Sequence, residues 1–137
     1  MGFFATIDEA REFFKNDKFA TNAGMTVDEM GEDCSVCSVI LNDDHKNAYG
    51  GVMGGVIFTL ADLAFAVCAN NIHSLSVAQQ VSINYLSAPK GTRLIAKAKC
   101  IKNGRTTAVL NVDVTDDTGR DVALFVGTAY KLPSQKG

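Results

Sequence analysis

The chain has 137 residues, 47% of them hydrophobic and 20% charged, with a formal net charge of −2. That length suits one domain with a proper core, and residues 1–137 are read as a single domain. The near-neutral charge argues against nucleic acid or an anionic membrane as the main partner. A few local lysines and arginines would still be enough to hold a phosphate-bearing ligand.

The first fifteen residues bring in acids at once and lack a basic segment ahead of a long apolar run, so they do not read as a secretory signal. A cytoplasmic protein is expected. Thr6 and Glu9 have capping-box spacing, and Ile7, Ala10, Phe13 and Phe14 follow at helical spacing, which predicts a short amphipathic helix over 6–15. Two strands are expected over 25–30 and 34–41, joined around Gly31-Glu32-Asp33. Cys34 and Cys37 have C-x-x-C spacing, but residues three apart on a strand point to opposite faces. No second such pair completes a tetrahedral site. Buried, reduced thiols and no metal are expected.

A polar loop over 42–49 leads to the most apolar stretch of the chain, 52–69. Its length approaches the lower limit for a membrane span, about 17 residues. Two glycines near its start, Asp62 near its centre and the lack of basic flanks argue against a span. Val56, Leu60, Leu63 and Val67 form one stripe, and Ile57, Ala61, Ala64 and Cys68 form the next. A helix apolar on nearly all sides is buried within a soluble fold. Four strands follow over 77–86, 92–101, 106–114 and 122–130, separated by Pro89-Lys90-Gly91, Asn103-Gly104 and Asp117-Thr118-Gly119. Ala108, Leu110, Val112 and Val114 alternate with more polar neighbours, as in a half-buried antiparallel strand. The fold class is therefore α+β: an antiparallel sheet wrapped around one long central helix. The tail, 133–137, is expected to fray.

Gly54 and Gly55 fall where the buried helix should begin. First-turn amides have no partner within a helix, and the dipole makes that end positive. Glycine lets a ligand oxygen come close to those amides. Asp62 lies two helical turns further on, about 12 Å along the axis, too far for both to touch one atom within a subunit. A shared site would need Asp62 from one chain and Gly54 from another, hence a dimer. An aspartate among apolar neighbours is costly unless paired or wetted. Its pKa should rise, which suits a general base; a structural carboxylate bonded across a subunit interface is the alternative.

The run Asn47-Ala48-Tyr49-Gly50-Gly51-Val52-Met53-Gly54-Gly55-Val56-Ile57-Phe58-Thr59-Leu60-Ala61-Asp62 resembles the pattern N-x-x-G-x-x-H-G-G-x-x-x-x-L-x-D of the PaaI-type hotdog thioesterases. The resemblance continues through Ile83-Asn84-Tyr85-Leu86, Gly91, Gly104-Arg105 and 116–119. It implies a hotdog fold and hydrolysis of an acyl-coenzyme A thioester, with Asp62 as general base or nucleophile. It also implies that the Gly54 N–H polarises the carbonyl and that Asn47 helps place substrate or water. Relatives bind acyl-CoA between subunits, as homodimers or as homotetramers built from two dimers; no cofactor is implied. Met53, Gly55 and Phe58, with Ala78 and Gln79 on the strand after the helix, are the expected substrate-binding positions. The pattern's histidine is Met53 here, and a position that often carries serine or threonine is Ala78. These two departures motivate an alternative, a non-catalytic acyl-CoA binding domain. A hydratase would want a histidine that this helix lacks. His45 and His73 read as solvated surface residues, and Lys90, Arg93 and Arg105 as ordinary exposed charges.

Overall fold

The computed structural model describes residues 2–133; the tail from 134 onward lies outside the described residues. Helix α1 (Ile7–Phe14) starts at the expected capping box: the Thr6 hydroxyl accepts from the Glu9 amide, and the Glu9 carboxylate accepts from the Thr6 amide. A five-residue helix not expected from the sequence, α2 (Lys18–Asn22), precedes strands β1 (Thr26–Met30) and β2 (Cys34–Ile40). Within the stretch read as a polar loop, Asp43–His45 form a 3-10 turn capped by Asn42, whose Oδ1 accepts from the Asp44 amide.

The buried helix, α3, spans Gly54–Ile72, longer at its C-terminal end than the apolar run. Asn70 and Asn71 carry it on because both side chains are buried with partners. Asn70 exchanges hydrogen bonds with the Ser76 backbone, while Asn71 accepts from the Phe4 amide and donates to the Gly31 carbonyl. Strands β3 (Ser76–Tyr85), β4 (Arg93–Asn103), β5 (Thr107–Asp116) and β6 (Asp121–Lys131) complete the elements among the described residues.

The six strands form one antiparallel sheet in the order β1-β2-β4-β5-β6-β3, and α3 packs across its inner face against every strand. The alternation on β5 holds, with Ala108, Leu110, Val112 and Val114 all buried. Seven of the eight stripe residues on α3 are buried and the eighth, Val56, packs against the core. This is the hotdog arrangement, a sheet curled around a helix. By length and composition alone α3 could cross a membrane, but most of it is buried against the sheet.

Opposite pointing on β2 also holds for the C-x-x-C pair. Cys37 is buried, whereas Cys34 is exposed, which corrects the expectation that both thiols are buried. Burial pushes the Cys68 thiol up to about 12, with smaller contributions from nearby acidic groups.

Strand β3 lies at an edge of the sheet, paired only with β6. A bulge at Gln79 separates Ala78, opposite Ala129, from Gln80, opposite Thr128. Its free edge runs the length of a ten-residue strand.

Candidate active site

The residues just before α3 form a closed loop. Asn47 donates its amide to the Gly51 carbonyl, and its Oδ1 accepts from the amides of Tyr49 and Gly51 at 2.9 and 3.1 Å. Gly50 turns the chain at φ +85°, where a residue with a Cβ is strained. The Asn47 oxygen is thus occupied in shaping the loop. At the base of the loop, the Met53 amide donates to the His45 carbonyl at 2.9 Å, fixing the residue that caps α3.

His45 is 3% exposed, contrary to the solvated histidine expected from the sequence. Its Nδ1 accepts from the Asn42 amide at 3.1 Å, and its Nε2 lies 2.7 Å from the Ala23 carbonyl. With Nδ1 accepting, the proton sits on Nε2, and the neutral ring ties the end of α2 to the loop before α3. His73 likewise has a partner, the Leu132 carbonyl at 2.9 Å.

Met53 has extended dihedrals, φ −64° and ψ 134°, and α3 begins at the next residue. The Met53 carbonyl accepts from the amides of Val56 and Ile57, while the Gly54 and Gly55 amides have no acceptor among the described residues. Two free N–H groups at the positive end of a buried helix can stabilise negative charge on a ligand oxygen. The Gly54 carbonyl accepts from the Tyr85 hydroxyl at 3.1 Å, and a Cβ on Gly54 would lie 3.3 Å from Cζ and Oη of that ring. Glycine therefore keeps β3 close to the helix head.

Beside these amides opens a cleft of about 470 Å³ whose lining includes Met53, Gly55 and Phe58, together with Phe19, Met25 and Tyr85. Asp62 is half-buried in an adjoining cavity of about 280 Å³, bordered by Asp17, Phe19, Phe58 and Thr59. The Asp62 carboxylate has no hydrogen bond or ion pair among the described residues. Burial raises its pKa first and the negative charge of Asp17 second; burial also raises that of Asp17. A carboxylate in this state can take a proton from water at neutral pH.

Met53, Gly55 and Phe58 are thus brought to one cleft, with Gly54 at its rim and Asp62 next door. Asn47 stands in the loop, and Ala78 and Gln79 lie exposed on the edge strand, outside both cavities. Arg93 is engaged with Asp28 at 3.1 Å and with the Ser38 hydroxyl at 2.8 Å. Sequence reading missed Asp17 and Phe19, since a five-residue helix is too short to show a period.

A family model described as the thioesterase superfamily matches residues 49–123. The chain is 28% identical to acyl-coenzyme A thioesterase PaaI of Escherichia coli, over 90% of this chain and 89% of that protein. It is 36% identical to a protein of Archaeoglobus fulgidus named as an inferred esterase, over 87% of this chain and 78% of that one. The structure of E. coli PaaI superposes with a TM-score of 0.86 at 27% identity, covering 91% of each chain. That of a thioesterase protein from Streptococcus pneumoniae TIGR4, solved with coenzyme A, gives 0.81 at 31% identity, covering 90% of this chain and 99% of that one. With the matching motif at the head of α3 and the same fold around it, the chain belongs to the thioesterase superfamily, among its PaaI-type hotdog members.

Proposed function

We propose that the protein hydrolyses an acyl-coenzyme A thioester to the free acid and coenzyme A. The observation that carries this reading is the pair of amides at the head of α3 with no acceptor among the described residues, beside an apolar cleft lined by Met53 and Gly55. In the proposed reaction the thioester carbonyl oxygen accepts from the Gly54 N–H, assisted by Gly55, and negative charge develops there as water attacks. Asp62 takes a proton from that water as the new C–O bond forms. The C–S bond then breaks, the proton held by Asp62 passes to the departing coenzyme A sulfur, and the acid and the thiol are released with Asp62 again a carboxylate. Asn47 acts by shaping the loop that presents these amides. Ala78 and Gln79, across a subunit boundary, would contact substrate from the edge strand.

Gly54 and Asp62 are eight positions apart on one helix, about 12 Å, so one carbonyl and its water are served by two chains. The free edge of β3 supports a dimer in which two copies of that strand pair, since a long unpaired edge is a template for another strand. A dimer of such dimers and a cytoplasmic location are part of the same reading.

The test is thiol release from a panel of acyl-CoAs, wild type against Asp62→Asn. Loss of about 10²–10⁴-fold in kcat is expected for removal of a general base; equal rates would overturn the role of Asp62. One observation favours a second reading, binding without turnover. Met53, 53% exposed, presents a thioether beside Gly55 rather than a hydrogen-bonding side chain. That reading predicts tight binding by calorimetry with no thiol released.

A further inference from the structure

The cleft at the head of α3 and the Asp62 cavity share three lining residues. Two of them, Phe58 and Thr59, belong to α3. The third, Phe19, is the only one contributed from outside that helix, and it comes from α2. That short helix is firmly held. Ala20 is buried in the core, the Ala20 carbonyl accepts from the Met25 amide at 3.1 Å, and His45 Nε2 donates to the Ala23 carbonyl. From this anchored position the Phe19 ring is 79% exposed, at the boundary between the two cavities. An apolar ring held in water beside an apolar cleft gains by covering an apolar ligand.

We propose that the cleft takes the acyl chain of the substrate and that Phe19 sets the chain length accepted, by closing the cleft on the side of the Asp62 cavity. The inference rests on the reading that an acyl-CoA binds with its carbonyl at Gly54. Around the cleft Met25 and Met53 offer flexible thioethers and Phe58 a ring, surfaces that adapt to an alkyl chain. The ring nitrogens of His45, which also lines the cleft, are already satisfied and do not call for a polar ligand. At about 470 Å³ the cleft is far larger than an acetyl group needs and falls among pockets that take small ligands, roughly 300–1,000 Å³. Removing the Phe19 side chain would join it to the neighbouring 280 Å³.

The experiment is calorimetric binding of S-alkyl coenzyme A thioethers, which cannot be hydrolysed, from butyl to hexadecyl. Wild type, Phe19→Ala and Phe19→Trp are compared. Wild type should bind an intermediate length best. Phe19→Ala should shift the Kd ratio between longer and intermediate chains by about tenfold or more, the effect of burying two further methylenes. Phe19→Trp should shift the preference toward shorter chains. The same ratios in all three proteins, or no binding of any length to wild type, would overturn the proposal. Thiol release from the matching acyl-CoAs separates the two readings: a length preference in binding without release would leave the role of Phe19 standing and remove hydrolysis.

Discussion

Replacing Gly54 with proline isolates a single hydrogen-bond donor. Gly54 is the first residue of α3, a position where proline is tolerated. Met53 already has the extended dihedrals required of a residue before proline, φ −64° and ψ 134°. The Gly54 N–H has no acceptor among the described residues, so losing it removes no hydrogen bond made by that amide. The added Cβ would lie 3.3 Å from the Tyr85 ring, which is 51% exposed and can turn aside, though at the cost of its hydroxyl's hydrogen bond to the Gly54 carbonyl. Gly54→Ala introduces the same Cβ and keeps the N–H, so it reports the cost of displacing Tyr85 without loss of the donor. If that N–H holds the developing oxyanion, Gly54→Pro should lower kcat about 10²–10³-fold relative to Gly54→Ala, or about 2.7–4 kcal/mol of transition-state stabilisation. The assay is steady-state thiol release from one acyl-CoA, with thermal unfolding to verify that both variants fold. Equal kcat in the proline and alanine variants would refute the assignment of the donor.

Three further outcomes follow from the same geometry. Burial and the charge of Asp17 hold the Asp62 carboxyl above its usual range, so the acid limb of the rate profile should lie above about pH 3.9, the ordinary aspartate value. Asp17→Asn should move that limb to lower pH; an unmoved limb would show that Asp17 does not act on Asp62. A raised carboxyl pKa means that stability is full below the ordinary value and is lost as pH rises through the raised one. Asp62→Asn should therefore raise Tm at neutral pH, read by calorimetry.

Asp116 is the opposite case. The Thr118 hydroxyl and the amides of Lys90, Gly91 and Arg120 hold its carboxyl well below the usual range. Its contribution is present above the ordinary carboxyl pKa and is lost as pH falls through the lowered value. Asp116→Asn should lower Tm at neutral pH and have little effect in strong acid. Gly127→Ala would set a Cβ 2.6 Å from Phe65 Cε1 and 3.1 Å from Phe125 Cε1, both rings being fully buried. Overpacking of this kind costs roughly 1–3 kcal/mol, which urea titration would detect as a lower midpoint.

Much of the fold could be read from the chain because its signals are local and periodic. The Thr6–Glu9 capping box, the doubled apolar stripe of α3 and the alternation along β5 are each dictated by neighbours a few residues apart. The order of the elements other than α2 and the 3-10 turn followed from them. What escaped depended on distant contacts. Helix α2 has five residues and is held by a core alanine and by His45. His45 itself looked like a surface residue because its partners, Asn42 and Ala23, become neighbours only after the loop folds back. Hydropathy ended α3 at the asparagines, which the fold buries with partners at Ser76 for Asn70 and at Phe4 and Gly31 for Asn71. Asp17 faces the Asp62 cavity only through the placement of α2, and no spacing in the sequence records that.

In the proposed site one chain supplies the Gly54 N–H and another the Asp62 carboxylate. Mixing the two inactive variants, Asp62→Asn and Gly54→Pro, after dissociation and reassembly tests it directly. In a randomly reassembled two-fold dimer, half the dimers carry one chain of each kind, and each of these has one intact site of its two. Thiol release should return to about a quarter of the wild-type rate. A mixture that stays as inactive as its components, although mass analysis shows mixed dimers, would contradict a site built from two chains.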